Sequence, residues 1–153
     1  MDVTLRPMTA VEYEQAARVR EVESLRELAK VMSEEEARER LRQGTARFLP
    51  QGLQTPGHHL VVAENGRGEV VGDAWLGPDP SGAAGSAFLY DINVYEAFRR
   101  TGYGSAILAA VEELAAGGRL RLNVNGDNAA AIALYRRSGY EVSSMVMSKD
   151  LNG

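Results

Sequence analysis

The 153-residue chain contains no cysteine, which excludes disulfides, thiolate metal ligands and a cysteine nucleophile. A reducing cytoplasm is the default expectation for such a chain, although lack of cysteine fits any compartment. Long apolar runs are missing too. No stretch approaches the ~20 residues that a bilayer-spanning helix needs. The opening Met1-Asp2-Val3-Thr4-Leu5-Arg6 has no basic segment followed by an apolar one, so neither a membrane anchor nor a secretory signal is expected. Positive charge is not in excess. A net charge of −4 argues against nucleic acid as the main partner. Histidine is confined to His58 and His59; neighbours on a strand point to opposite faces and no third ligand accompanies them, so no metal site is expected. The remaining composition, 44% hydrophobic and 25% charged, is that of a soluble globule, and the length fits one domain spanning residues 1–153.

Periodicity places the elements. Val3 to Arg6 alternates as a short strand. Thr9 with Glu12, and Ser33 with Glu36, form capping-box patterns that open two helices, the first running to about Lys30 and the second stopping before Leu49-Pro50. His58 to Glu64 and Glu69 to Leu76 read as a hairpin around Asn65-Gly66-Arg67-Gly68. Ser86 to Val94 is a third long strand, with Phe88, Tyr90, Ile92 and Val94 expected on one face and Leu89, Asp91 and Asn93 on the other. Gly102 to Ala116 is a helix ended by Gly117-Gly118. A strand from Arg119 to Asn125, a helix from Asp127 to Ser138 and a last strand from Tyr140 to Lys149 complete a mixed α/β layout.

The chemistry concentrates after Val94. In Arg99-Arg100-Thr101-Gly102-Tyr103-Gly104-Ser105 a helix begins among two glycines. Its first N–H groups have no partner inside the helix and lie at the positive end of its dipole. Glycine lets an anion approach them, and the two arginines add charge-assisted donors at the rim. The turn suits a pyrophosphate, or else is a tight turn made for close packing. The layout is wrong for a dinucleotide fold, which places three glycines in an early β-α-β unit, and no Gly-Lys-Ser/Thr follows to make a P-loop. Asn128 and Tyr135 stand seven residues apart on the last helix and so share one face, roughly 10 Å apart along the axis. They serve an extended ligand, or respectively cap the helix and fill the core.

Together these pieces resemble the GNAT superfamily of acetyltransferases. Its Arg/Gln-x-x-Gly-x-Gly/Ala motif is met by Arg99 to Gly104. Its later signature is met by Leu122-Asn123-Val124, Asn128, Ala131, Leu134-Tyr135 and Gly139-Tyr140. The stretch Leu49 to His58, with the ending Met147-Ser148-Lys149, is similar to a bacterial subgroup without an assigned substrate. Arg100 stands where many members have glycine.

The resemblance implies a mostly antiparallel mixed sheet of six or seven strands, splayed in the middle and flanked by about four helices. It implies an N-acetyltransferase that moves an acetyl group from acetyl-CoA to a primary amine by direct attack in a ternary complex. Backbone groups of Asn93 and Val94 would bond the pantetheine arm. The N–H groups of Arg100, Thr101, Gly102, Tyr103, Gly104 and Ser105, with Arg99, would hold the pyrophosphate, and Asn128 a pantetheine amide. Tyr135 would protonate the departing thiolate, a role a phenol of ordinary pKa near 10 can fill at pH 7. Asp91 is the candidate base, against a purely structural pairing with a nearby arginine. The acceptor, a small amine or a protein amine, is not legible, and an exposed last strand is compatible with a homodimer. The rival is a module of the same fold that senses acyl-CoA without catalysis.

Overall fold

In the computed structural model, which describes residues 2–152, the chain divides into two compact units, Met1–Asn123 and Val124–Gly153. The first unit holds five strands and three helices: β1 (Thr4–Pro7), α1 (Ala10–Leu28), α2 (Glu34–Phe48), β2 (His59–Glu64), β3 (Val70–Pro78), β4 (Ser86–Val94), α3 (Tyr103–Ala115) and β5 (Arg119–Leu122). The strands form one sheet in the order β1-β2-β3-β4-β5, antiparallel except for the parallel pair β4–β5. The second unit holds α4 (Ala129–Arg137). Among the described residues no helix is long and apolar enough to cross a membrane.

The two early helices begin where their caps require. The Thr9 hydroxyl accepts from the Glu12 N–H at 3.2 Å while the Glu12 carboxylate accepts from the Thr9 N–H at 2.9 Å, and the Ser33 hydroxyl takes the Glu36 N–H at 3.1 Å. Arg6 bonds both Glu12 and Glu64, tying β1 to α1 and to β2. One sheet face packs Leu60, Val62 and Trp75 against Met8, Ala16 and Leu49. The opposite face receives α3 through the fully buried Ile107, Leu108 and Val111.

α3 comes this close only because Gly72 has no side chain. A Cβ there would lie 2.2 Å from the Asn93 carbonyl oxygen and 2.8 Å from Ile107 Cδ1. Backbone on one side and a packed helix on the other leave nothing free to yield. Gly72→Ala is therefore expected to cost on the order of 3 kcal/mol, read as a lower midpoint in urea unfolding.

Two expectations are corrected. The alternation along β4 breaks at a bulge, since Trp75 pairs with Asp91 but Leu76 with Leu89, leaving Tyr90 extra. The bulge returns Tyr90 to the Trp75 face, where the rings stack at 4.5 Å with Phe88 edge-on to Tyr90 at 5.0 Å. Phe88 and Tyr90 thus share a face with Asp91 and Asn93, while Leu89 turns to the other. The second correction concerns Tyr140 to Lys149, which form no strand. The sheet has five strands rather than six or seven, and Val142, Met145, Val146 and Met147 are exposed. Strand-prone composition supplies side chains but not the neighbouring ladder on which a strand depends.

The loop before β4 is held by Asp79, whose buried carboxylate accepts from the Ser81 N–H at 2.9 Å, from the Ser86 hydroxyl, and from Arg121 Nη1 at 3.1 and 3.0 Å. These donors, the Ser86 hydroxyl foremost, hold its pKa well below the usual carboxylate range. A depressed pKa stabilises the folded state above the unfolded value near 4 and loses that contribution as pH falls through the folded value. Asp79→Asn should accordingly lower Tm at pH 7, and the gap from wild type should narrow only below about pH 4 in a series of thermal melts.

Candidate active site

Along β4 the sheet comes apart. β5 pairs with it only from Ser86↔Arg119 to Leu89↔Leu122. From Tyr90 to Val94 the edge facing away from β3 has no strand beside it among the described residues. Antiparallel ladders alternate between pairs that exchange hydrogen bonds and pairs whose amides point outward. The Tyr95 N–H donates to the Val71 carbonyl at 2.9 Å, so Gly72–Val94 is an outward pair and Asp73–Asn93 an exchanging one. Ile92 and Val94 consequently turn their amides to the open edge, whereas the backbone of Asn93 is turned to β3. Asn93, expected to contribute backbone groups, turns them to β3, whereas Ile92 turns its own to the open edge. The Val94 carbonyl accepts from Arg99 Nε at 2.8 Å, which leaves the Val94 N–H as the outward donor next to the turn.

That turn is a short 3-10 segment, Glu96–Phe98, followed by Arg99 to Gly102. Arg100 (φ 65°) and Gly102 (φ 90°) are both left-handed, with Thr101 between them. An arginine in this conformation costs about 1–2 kcal/mol, which explains why glycine suits the Arg100 position. The Thr101 hydroxyl closes the turn on the Phe98 carbonyl. Helices α1, α2 and α4 each have a side-chain cap, from Thr9, Ser33 and Asn128, but Gly102 offers none to α3. The Ala106 N–H reaches the Gly102 carbonyl at 3.3 Å; the N–H groups of Tyr103, Gly104 and Ser105 stand before it at the positive end of the dipole. Arg99, Arg100, Thr101, Gly102 and Ser105 are exposed around them. The Tyr103 side chain is occupied elsewhere, its hydroxyl accepting from Asn65 Nδ2 at 3.2 Å and its ring edge-on to Phe98 at 5.9 Å. The arrangement is an exposed, uncapped donor set able to take a diphosphate, and it adjoins an unpaired strand edge able to take an extended chain of amides.

Asp91 lies on the α1-facing side of β4, directly opposite Trp75. Burial, and then the nearby Asp73 carboxylate, push its pKa up to about 6. Among the described residues no arginine or lysine forms an ion pair with it. A half-buried carboxylate poised near neutrality can accept a proton from an ammonium. Arg20 of α1 sits over the Trp75 ring, 4.8 Å from its centroid. His58 is committed to the fold: its Nδ1 accepts from Trp75 Nε1 at 2.9 Å, and burial lowers its pKa.

Asp73 was not legible as a site residue. It is 4% exposed and shares the Asp91 face, and Tyr95 donates its hydroxyl to Asp73 Oδ2 at 2.9 Å. The signal available in the sequence was a carboxylate inside an otherwise apolar strand, Val70-Val71-Gly72-Asp73-Ala74-Trp75, a placement whose desolvation cost asks for a reason.

In the second unit, Asn128 caps α4, its Oδ1 accepting from the Ala131 N–H at 3.2 Å. The capping role is realised, and the amide nitrogen of the same side chain is a separate donor. Tyr135 is buried and meets Tyr140 edge-on at 5.8 Å, while the Tyr140 N–H closes the helix end on the Tyr135 carbonyl at 2.9 Å.

Residues 20–140 match the model of the acetyltransferase (GNAT) family. The chain is 32% identical to the uncharacterized N-acetyltransferase YdgE of Bacillus subtilis over 99% of both chains. It is 36% identical to the uncharacterized N-acetyltransferase YycN of the same organism, over 68% of this chain and 69% of that one. The crystal structure of YycN from Bacillus subtilis superposes with a TM-score of 0.89 at 30% identity, covering 99% of each chain. An AAC(6')-Iy structure in complex with the bisubstrate analogue CoA-S-monomethyl-acetylneamine has the same fold, with a TM-score of 0.62 at 17% identity over all of both chains.

Proposed function

The chain belongs to the acetyltransferase (GNAT) family, and from that premise we propose that it takes an acetyl group from acetyl-CoA and delivers it to a primary amine in a ternary complex. The family match runs through both units, which supports reading the chain as one acetyltransferase domain. The observation that carries the proposal is the uncapped start of α3 beside the open edge of β4. A CoA diphosphate meets the first, and a pantetheine arm the second.

The residues divide the work. The N–H groups from Arg100 to Ser105, with the guanidinium of Arg99, hold the diphosphate. Ile92 bonds a pantetheine amide, and the Val94 N–H, the one outward group left to that residue, polarises the thioester carbonyl, a fixed dipole at the oxygen where charge develops. Asp91 accepts the proton of the incoming ammonium. The amine nitrogen then attacks the carbonyl carbon, the carbon–sulfur bond breaks, and the second proton that nitrogen sheds replaces the one delivered to the sulfur. On the motif, Asn128 is a further pantetheine contact and Tyr135 gives the leaving sulfur its proton. A CoA-based bisubstrate analogue bound by a protein of this fold supports the choice of donor.

Thermal shift against acetyl-CoA, ATP and NAD tests the donor, since a ligand at 100 times its Kd stabilises by about 2.7 kcal/mol. Only acetyl-CoA should raise Tm. A screen of polyamines, aminoglycosides, amino acids and peptides, detecting released CoA, tests transfer. Binding with no CoA release from any amine would replace the enzyme reading by a sensing one, and a shift with ATP or NAD alone would remove the donor assignment.

A further inference from the structure

We propose that Asp73 is a positioning residue for the base: it stays ionised beneath the Tyr95 hydroxyl and so assigns the proton that the two carboxylates share to Asp91. The inference rests on Asp91 being the proton acceptor and adds the reason why that carboxylate, rather than its neighbour, has the role.

The geometry comes from the β3–β4 register. Asp73 lies directly opposite Asn93 and Trp75 directly opposite Asp91, so the four residues form a block on one face with the two carboxylates on its diagonal. Diagonal neighbours on adjacent strands interact through their side chains. Two carboxylates in such a place do not both ionise freely, and the first proton goes to the one whose charged form is less well bonded. Asp73 is the better bonded, because Tyr95 donates to its Oδ2 at 2.9 Å, whereas Asp91 has only a weaker bond from the Ile92 backbone. Tyr95 is itself held, its N–H bonded to the Val71 carbonyl at 2.9 Å as the ladder runs on beyond Val94. Asp73 is also the less reachable, being 4% exposed while Asp91 is half-buried.

The other charged groups acting on this face come from α1. Arg20, over the Trp75 ring, lowers the pKa of both carboxylates, and Glu23 raises them. Neither separates Asp73 from Asp91. Tyr95 does, since it touches only Asp73, and the burial that raises both pKa values is opposed at Asp73 chiefly by that hydrogen bond. Because the charge of Asp73 is the second cause of the rise at Asp91 after burial, Asp73 settles where the proton resides and also helps to bring its exchange close to neutral pH.

The test needs no ligand. Carboxyl carbons of aspartate are labelled with carbon-13 in the full chain and titrated by NMR, with resonances assigned from Asp91→Asn and Asp73→Asn. The wild-type Asp91 midpoint is expected at about 6. In Asp73→Asn, whose amide oxygen still accepts from Tyr95, it should fall by about one unit. In Tyr95→Phe, which keeps both carboxylates, Asp73 should begin to titrate in the range that Asp91 held. An Asp91 midpoint that stays put in Asp73→Asn, or an Asp73 titration that stays put in Tyr95→Phe, overturns the proposal. The same variants are assayed for CoA release with the amines of the screen. Loss of transfer in Asp91→Asn combined with an unmoved midpoint sinks the Asp73 assignment alone. A wild-type rate in Asp91→Asn sinks the base reading, and this inference with it.

Discussion

Gly102→Asp is expected to weaken acetyl-CoA binding by about 100-fold, and Gly102→Asn by far less. The two side chains have nearly the same size, and both asparagine and aspartate tolerate left-handed backbone better than other residues. At φ 90° they therefore pay similar strain and crowd the entrance of α3 alike. What separates them is one negative charge set among the N–H groups of Tyr103, Gly104 and Ser105, where the diphosphate is proposed to lie. Two unit charges about 4 Å apart interact by about 4 kcal/mol at a near-surface dielectric constant of 20, and about 2.7 kcal/mol already corresponds to 100-fold in Kd. Isothermal titration with acetyl-CoA reads the difference directly. Equal affinities for the two variants would mean that no anion binds at this helix start.

The turn at the start of α3 could be read before any coordinates because its parts are local. The caps at Thr9 and Ser33, the glycines at the start of α3 and the limits of β4 each follow from a few consecutive residues, and β4 runs from Ser86 to Val94 as the alternation predicts. What escaped was everything that depends on a partner strand. The bulge at Tyr90 is invisible in a sequence that alternates smoothly through it, because only the register with β3 shows that Leu76 meets Leu89. For the same reason the resemblance that named the backbone of Asn93 could not say which way it faces. Which amides of β4 face outward is fixed by which β3 residues it pairs with. The diagonal of Asp73 and Asp91 joins positions far apart along the chain, and Tyr140 to Lys149 had the composition of a strand without the ladder. The uncapped glycine start of α3 was thus legible, and the face that Asp73 and Asp91 share was not.

Tyr135→Phe should lower kcat by about 100-fold or more while the Kd for acetyl-CoA stays within about twofold of wild type. The substitution removes one oxygen and keeps the ring, so the edge-on contact with Tyr140 and the helix closure at Tyr140 are preserved. A CoA thiolate, whose thiol has a pKa near 8.5, leaves more readily if a proton reaches it as the carbon–sulfur bond breaks, and a phenol holds such a proton at neutral pH. Such help exists only in the transition state. Its loss appears in kcat and in kcat/KM equally, and not in donor affinity. A buried tyrosine that merely fills space behaves differently: its phenylalanine variant keeps the packing and would turn over at nearly the wild-type rate. Tm and kcat measured on the same preparation therefore decide the matter. An unchanged kcat would take Tyr135 out of the chemistry and leave water as the source of the leaving group's proton.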